Sequence, residues 1–142
     1  MVEDMGETID KASTPGNGNL ISVDEDAKLL DKKRTEIFHS CTAKNLYITK
    51  RVRPDIETTV SFLRTQVSKS NIKDWHKLKR MLGFLKRTVN DVRIIGVTSI
   101  QDLYTWVDAA YAVHPNMKSH MGGAMSFGWG IVHGRASKQK LK

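Results

Sequence analysis

The feature that most constrains this chain is a break in hydrophobic period at Asn90. Before it, Trp75, Leu78, Leu82, Leu85 and Val89 recur every third or fourth residue, the spacing of one helical face. After it, "DLYTWVDA" alternates Tyr104, Trp106 and Asp108 against Leu103, Thr105 and Val107, the period of a strand. A helical half followed by a strand half reads as α+β, or as two units in series. One residue resists the strand pattern. Asp108 interrupts an otherwise apolar run, and an unpaired carboxylate is costly to bury. It needs a hydrogen-bond partner, a cation, or a place at the mouth of a cleft.

Residues 34–90 read as three amphipathic helices. "RTEIFHSCTAKNLYITKR" lacks Gly and Pro and predicts a helix over about 35–50. Proline's fixed φ and missing N–H suit Pro54 to the first turn of a second helix. Along that helix Ile56, Val60, Leu63 and Val67 form one stripe. The third spans about Ile72–Val89, with Asn71 as N-cap and Asp74 in a capping-box position. Short connections imply an antiparallel bundle, with Cys41 in its core. Residues 91–142 hold the strand candidates "RIIGV", "DLYTWVDA", "GGAMSFGWG" and "IVHGRAS", with Gly128 and Gly130 marking a tight hairpin or bulge. Residues 1–33, with "ASTPGNGN" among scattered acids, read as a disordered acidic tail or linker.

Charge divides the chain. Residues 1–31 hold eight acids against two lysines, a net −6, so the remaining 111 residues carry +14 of the overall +8. That excess favours a polyanion as partner, nucleic acid ahead of a membrane surface; a solvated basic face is the plainer alternative. On the third helix Lys73, Lys77, Arg80 and Arg87 line up opposite the apolar stripe, with Lys79 and Lys86 flanking it. At 1.5 Å per residue this row is ~20 Å long, enough to follow several phosphates. Taken alone, such a row more often faces only water. The same segment, "KLKRMLGFLKR", could lie on a membrane or in a calmodulin-like groove, but the bundle core claims its apolar stripe. In "KRVRPD", Arg51 and Arg53 precede a helix N-terminus that could receive a phosphate, although Asp55 already answers the dipole there. No apolar run reaches the ~20 residues a membrane helix needs. An acidic, polar N-terminus and a single cysteine point to an intracellular protein without disulfides.

The succession "FHSCTAKNLYITKRVRPDI", "DWHKLKRMLGFLKRT", "LYTWVDAAYAVHPNMKSHMGG" and "RASKQKL" resembles the Pol polyprotein of copia-type LTR retrotransposons over roughly residues 34–142. "STPGNGNL" is similar to the family's variable lead-in. The resemblance implies a thumb-like three-helix bundle from the end of a reverse transcriptase. It also implies the first three antiparallel strands of a ribonuclease H sheet. "WVDAAYA" matches the strand whose aspartate ligates catalytic magnesium, so Asp108 becomes a candidate catalytic and metal-binding residue. Without the family, Asp108 could equally cap a strand end or pair with Lys118 or Lys138. Implied partners are template–primer duplex or RNA–DNA hybrid, held through Arg51, Arg53, Lys73, Lys77, Arg80 and Arg87, and the rest of the Pol polyprotein.

Departures from the family narrow that expectation. No Tyr-x-Asp-Asp polymerase motif occurs, and the sequence ends at Lys142, before the block that brings further ribonuclease H carboxylates. Met121 stands where the family has a small hydroxyl residue. The chain is therefore expected not to catalyse by itself, and its third strand to expose an unpaired edge. The rivals are a retained non-catalytic nucleic-acid-binding protein and an inert relic. His114 and His120, six apart with no cysteine nearby, match family positions rather than a zinc pair.

Overall fold

In the computed structural model, which describes residues 3–140, three helices precede a small antiparallel sheet, the expected α+β class. The helices are α1 (Lys32–Arg51), α2 (Glu57–Gln66) and α3 (Ile72–Arg87). Their ends follow local chemistry. Asp31 caps α1 by accepting from the Arg34 amide at 2.9 Å. Asn71 Oδ1 accepts from the Lys73 and Asp74 amides at 2.9 and 3.1 Å, and Asp74 Oδ2 accepts from the Asn71 amide at 3.3 Å. That is the anticipated capping box. Pro54 opens a short 3₁₀ turn, Pro54–Ile56, that leads into α2. Phe38 and Cys41 of α1, Val60 and Leu63 of α2, and Trp75 and Leu82 of α3 share one buried core. Val89, last in the α3 stripe, lies past the helix end and is 73% exposed.

The N-terminal residues depart from the expected disordered tail. Met5 and Ile9 are buried in the same core, and Leu20, Ile21, Val23 and Leu30 pack partly against it. Leu30 N donates to Ser70 O at 3.1 Å and Ile72 N to Lys28 O at 3.0 Å, tying the segment to the α2–α3 connection. Gly83 explains part of this packing. A glycine inside a helix costs about 1 kcal/mol relative to alanine, but a Cβ at 83 would overlap the Asp10 carbonyl oxygen. The backbone at Asp10–Ala12 thus crosses α3 where the helix has no side chain.

The strands are β1 (Gly96–Val97), β2 (Tyr104–Ala110), β3 (His120–Ser126), β4 (Gly128–Trp129) and β5 (His133–Lys138). They form a three-stranded sheet in the order β2-β3-β5 and a two-stranded ladder of β1 with β4. Gly128 and Gly130 take positive φ, 142° and 76°, in the turn from β3 to β5, as their composition suggested.

The sheet's edges reverse the expectation that its third strand would be bare. On β5, the Ala136 amide donates to Glu57 Oε1 at 3.3 Å, and Ser61 Oγ donates to the Ala136 carbonyl at 2.8 Å. Lys50 Nζ donates to Gly134 O at 3.1 Å. The helices cover this edge, and β2, exposed along its whole length, forms the open one. Glu57 is central to the joint, because its carboxylate also accepts from Lys50 Nζ at 2.7 Å and Thr49 Oγ1 at 3.1 Å. No helix among the described residues is long and apolar enough to cross a membrane.

Replacing Glu57 by Ala should lower unfolding free energy by about 2–3 kcal/mol, since hydrogen bonds to charged groups are lost and buried donors are orphaned. Urea unfolding would measure the loss, and proteolysis should then cut residues 133–138 faster. Asp55→Asn, on the same turn but exposed, should change cutting of those residues little.

Candidate nucleic-acid interface

The structure splits the six cations singled out from sequence into engaged and free groups. Arg53 is engaged: Nε and Nη2 grip Asp55 at 3.0 and 2.8 Å, and Nη1 and Nη2 donate to Thr88 O and Oγ1 at 3.1 and 2.6 Å. Its guanidinium also lies 5.3 Å from the Phe84 ring centroid. It fastens the start of α2 to the end of α3, and only 12% of its side chain is exposed.

Lys77 is engaged as well. It donates to Ser22 O, lies 3.5 Å from Asp74 Oδ1 and sits 4.4 Å above the Phe62 ring. Burial pulls its pKa down, partly offset by Asp74, and burial pushes Asp74 up against the pull of the Asn71 amide and Lys77. Arg80 Nη2 donates to Thr14 Oγ1 at 2.9 Å, while its Nε is buried without a partner. The flanking cations go the same way: Lys79 pairs with Glu7 at 2.9 Å and Lys86 donates to Ile9 O at 3.0 Å. Glu7 also accepts from Arg34 at 3.0 Å, and its carboxyl is held below the usual range chiefly by the Lys79 hydrogen bond.

Arg51, Lys73 and Arg87 are exposed. Arg51 lies 5.6 Å from the Tyr47 ring. Lys73 borders a cavity of about 450 Å³ in which His76 and Arg80 of α3 face Gly16, Asn17 and Asp24 of the N-terminal segment. The expected four-residue row is therefore free at its two ends and occupied in its middle.

Asp108 sits on β2, opposite Gly122 of β3, and is exposed. It shares a groove of about 430 Å³ with Trp106, Glu57, Gly122, Gly134 and Arg135. An exposed carboxylate pays no burial cost, so it needs neither Lys118 nor Lys138; Lys118 Nζ donates instead to the Lys140 carbonyl. Toward magnesium, which takes octahedral oxygen ligands and usually keeps several waters beside one or two carboxylates, the groove offers Asp108. The groove's other carboxylate, Glu57, is already bound by Lys50, Thr49 and the Ala136 amide. No group of three or more metal-ligating side chains occurs among the described residues.

Sequence reasoning missed Glu57 and Glu7, which accept from Ala136 and Lys79, 79 and 72 residues away. The Glu57–Ser61 spacing of four was the available sign of a polar helix face turned inward. It also missed that His114 and His120 meet. His114 Nε2 and His120 Nδ1 are 3.1 Å apart and both rings are buried. Burial, then the Lys138 charge, then His120 hold the His114 pKa down at about 4; burial lowers that of His120. One neutral imidazole donates to the other, closing the loop between β2 and β3.

No protein-family model, curated protein or solved structure matches the chain.

Unfolded histidine takes a proton near ~6.5. Between there and about 4 the unfolded chain binds more protons at His114, so stability falls as pH is lowered through that window. Urea midpoints measured from about pH 7 to about pH 4.5 should fall, and His114→Gln should flatten the dependence.

Proposed function

We propose that this chain is a piece of a copia-type Pol polyprotein that holds template–primer or RNA–DNA hybrid without cutting it. The observation that carries the reading is the placement of exposed Arg51, Lys73 and Arg87 on ordered helices within 111 residues of net charge +14. Cations fixed on a rigid scaffold release counterions when they meet phosphates, without the entropy cost of ordering a loose tail. Two features support the family assignment. The helices come first, and the first long strand then carries Asp108, its fifth of seven residues, in the order the resemblance requires.

The groove supports the reading of contact rather than cleavage. Asp108 is its one uncommitted carboxylate, and Arg135 beside it suits a phosphate. In the family, magnesium would position water and leaving group; here Asp108 supplies a single ligand toward it. The bare edge of β2, with exposed Trp106 and Val107, is where further Pol segments would pack. An intracellular setting goes with this reading.

Fluorescence anisotropy of a labelled RNA–DNA hybrid tests it. With three phosphate contacts, affinity should fall about 40-fold between ~50 and ~200 mM salt. Arg87→Gln should lower the slope of log K against log salt by about one. No cleavage should appear in magnesium. Affinity indifferent to salt would sink the binding role, and magnesium-dependent cleavage abolished in Asp108→Asn would make the chain an enzyme after all.

A further inference from the structure

We propose that Lys77 and Arg80 in the middle of the α3 cation row, together with Lys79 and Lys86 beside the apolar stripe, form a polyanion-binding surface occupied in this structure by the chain's own N-terminal segment, which any nucleic acid must displace to use it. The inference rests on the binding role above and adds its control. Four cations of α3, Lys77, Arg80, Lys79 and Lys86, donate respectively to Ser22 O, Thr14 Oγ1, Glu7 Oε2 and Ile9 O. Their partners span residues 7 to 22 of the segment 3–24, which carries five acids, Glu3, Asp4, Glu7, Asp10 and Asp24, against one lysine, Lys11.

The polar contacts between the segment and α3 are its displaceable part. Three of the four acceptors are neutral backbone or hydroxyl oxygens, which phosphate oxygens outcompete as partners for lysine and arginine. Arg80 Nε is buried with no partner, so the resident segment leaves part of that guanidinium unused. The open cavity of about 450 Å³ beside Lys73, His76 and Arg80 gives a phosphate chain a place to begin. Met5 and Ile9 anchor the segment in the core, and Gly83 gives the Asp10 backbone its seat.

Gly83→Ala removes the seat without changing a charge, and alanine favours the helix it enters. Protease protection of residues 3–24 in the full chain reports the segment; anisotropy with the labelled hybrid at ~50 mM salt reports binding. The expected result is faster cutting within residues 3–24, with hybrid affinity rising about three- to ten-fold and a steeper salt slope. Lys79→Gln with Lys86→Gln in the Gly83→Ala background should erase the gain. Glu7→Gln, which keeps the side-chain shape, should give a smaller gain of about two-fold. A freed segment with unchanged affinity overturns the inference while the binding role stands, as does a segment that stays protected in Gly83→Ala. If neither wild type nor variant binds hybrid, both readings fall.

Discussion

The Glu57 carboxylate is the point on which the two halves of the molecule meet. One oxygen accepts from Lys50 and the Ala136 amide, and the other accepts from Thr49. It is buried, and a buried carboxylate is tolerated only when the lone pairs facing the interior are matched by donors. Here the donors come from α1 and β5, so matching them fixes both elements relative to α2. Ser61, one helical turn on, takes the Ala136 carbonyl. A helix thus replaces the missing strand along β5 by offering one acceptor and one donor at the spacing of four residues.

The N-terminal residues use a similar economy on the other side of the bundle. Their acids lie near α1 and α3: Asp4 reaches Lys44 at 3.1 Å, and Glu7 bridges Arg34 and Lys79. Each partly exposed pair contributes little by itself. Burial of Met5 and Ile9 supplies the hydrophobic part, and the ion pairs set the register in which the segment lies. The same contacts reduce the local charge that the α3 row presents to solvent, so the +14 of the later residues overstates what a polyanion meets first.

What the sequence made legible was local. The Asn71–Asp74 capping box, the α2 and α3 stripes, the strand around Asp108 and the glycine turn before β5 all rest on contacts a few residues apart. What it hid was long-range. Met5, Ile9, Leu20, Ile21 and Val23 have no common period, so composition alone classed their segment as a tail. Lys77 and Arg80 looked free on a helical wheel because Ser22 and Thr14, 55 and 66 residues away, cannot be seen from it. The edge of β5 looked bare for the same reason, since Glu57 precedes Ala136 by 79 residues. At Asp108 the reading of a cleft-side carboxylate was available from the strand pattern, whereas its exposure depends on which edge the helices cover.

That exposure gives Asp108 a physical role independent of any metal. β2 presents unpaired backbone donors and acceptors along its outer side, flanked by exposed Tyr104, Trp106 and Val107. Such an edge invites pairing with another copy of the same strand. In an antiparallel pairing of two β2 strands with Asp108 opposite Asp108, the two carboxylates face each other, and like charges directly opposite across strands are destabilising. Tyr104 and Trp106, stacked with centroids 6.3 Å apart on one face, cover part of the apolar surface meanwhile. The aspartate in the middle of "LYTWVDAAYA" therefore sits where a charge does most to keep the open edge from closing on itself, and a strand of Val or Ile at that position would lose that protection.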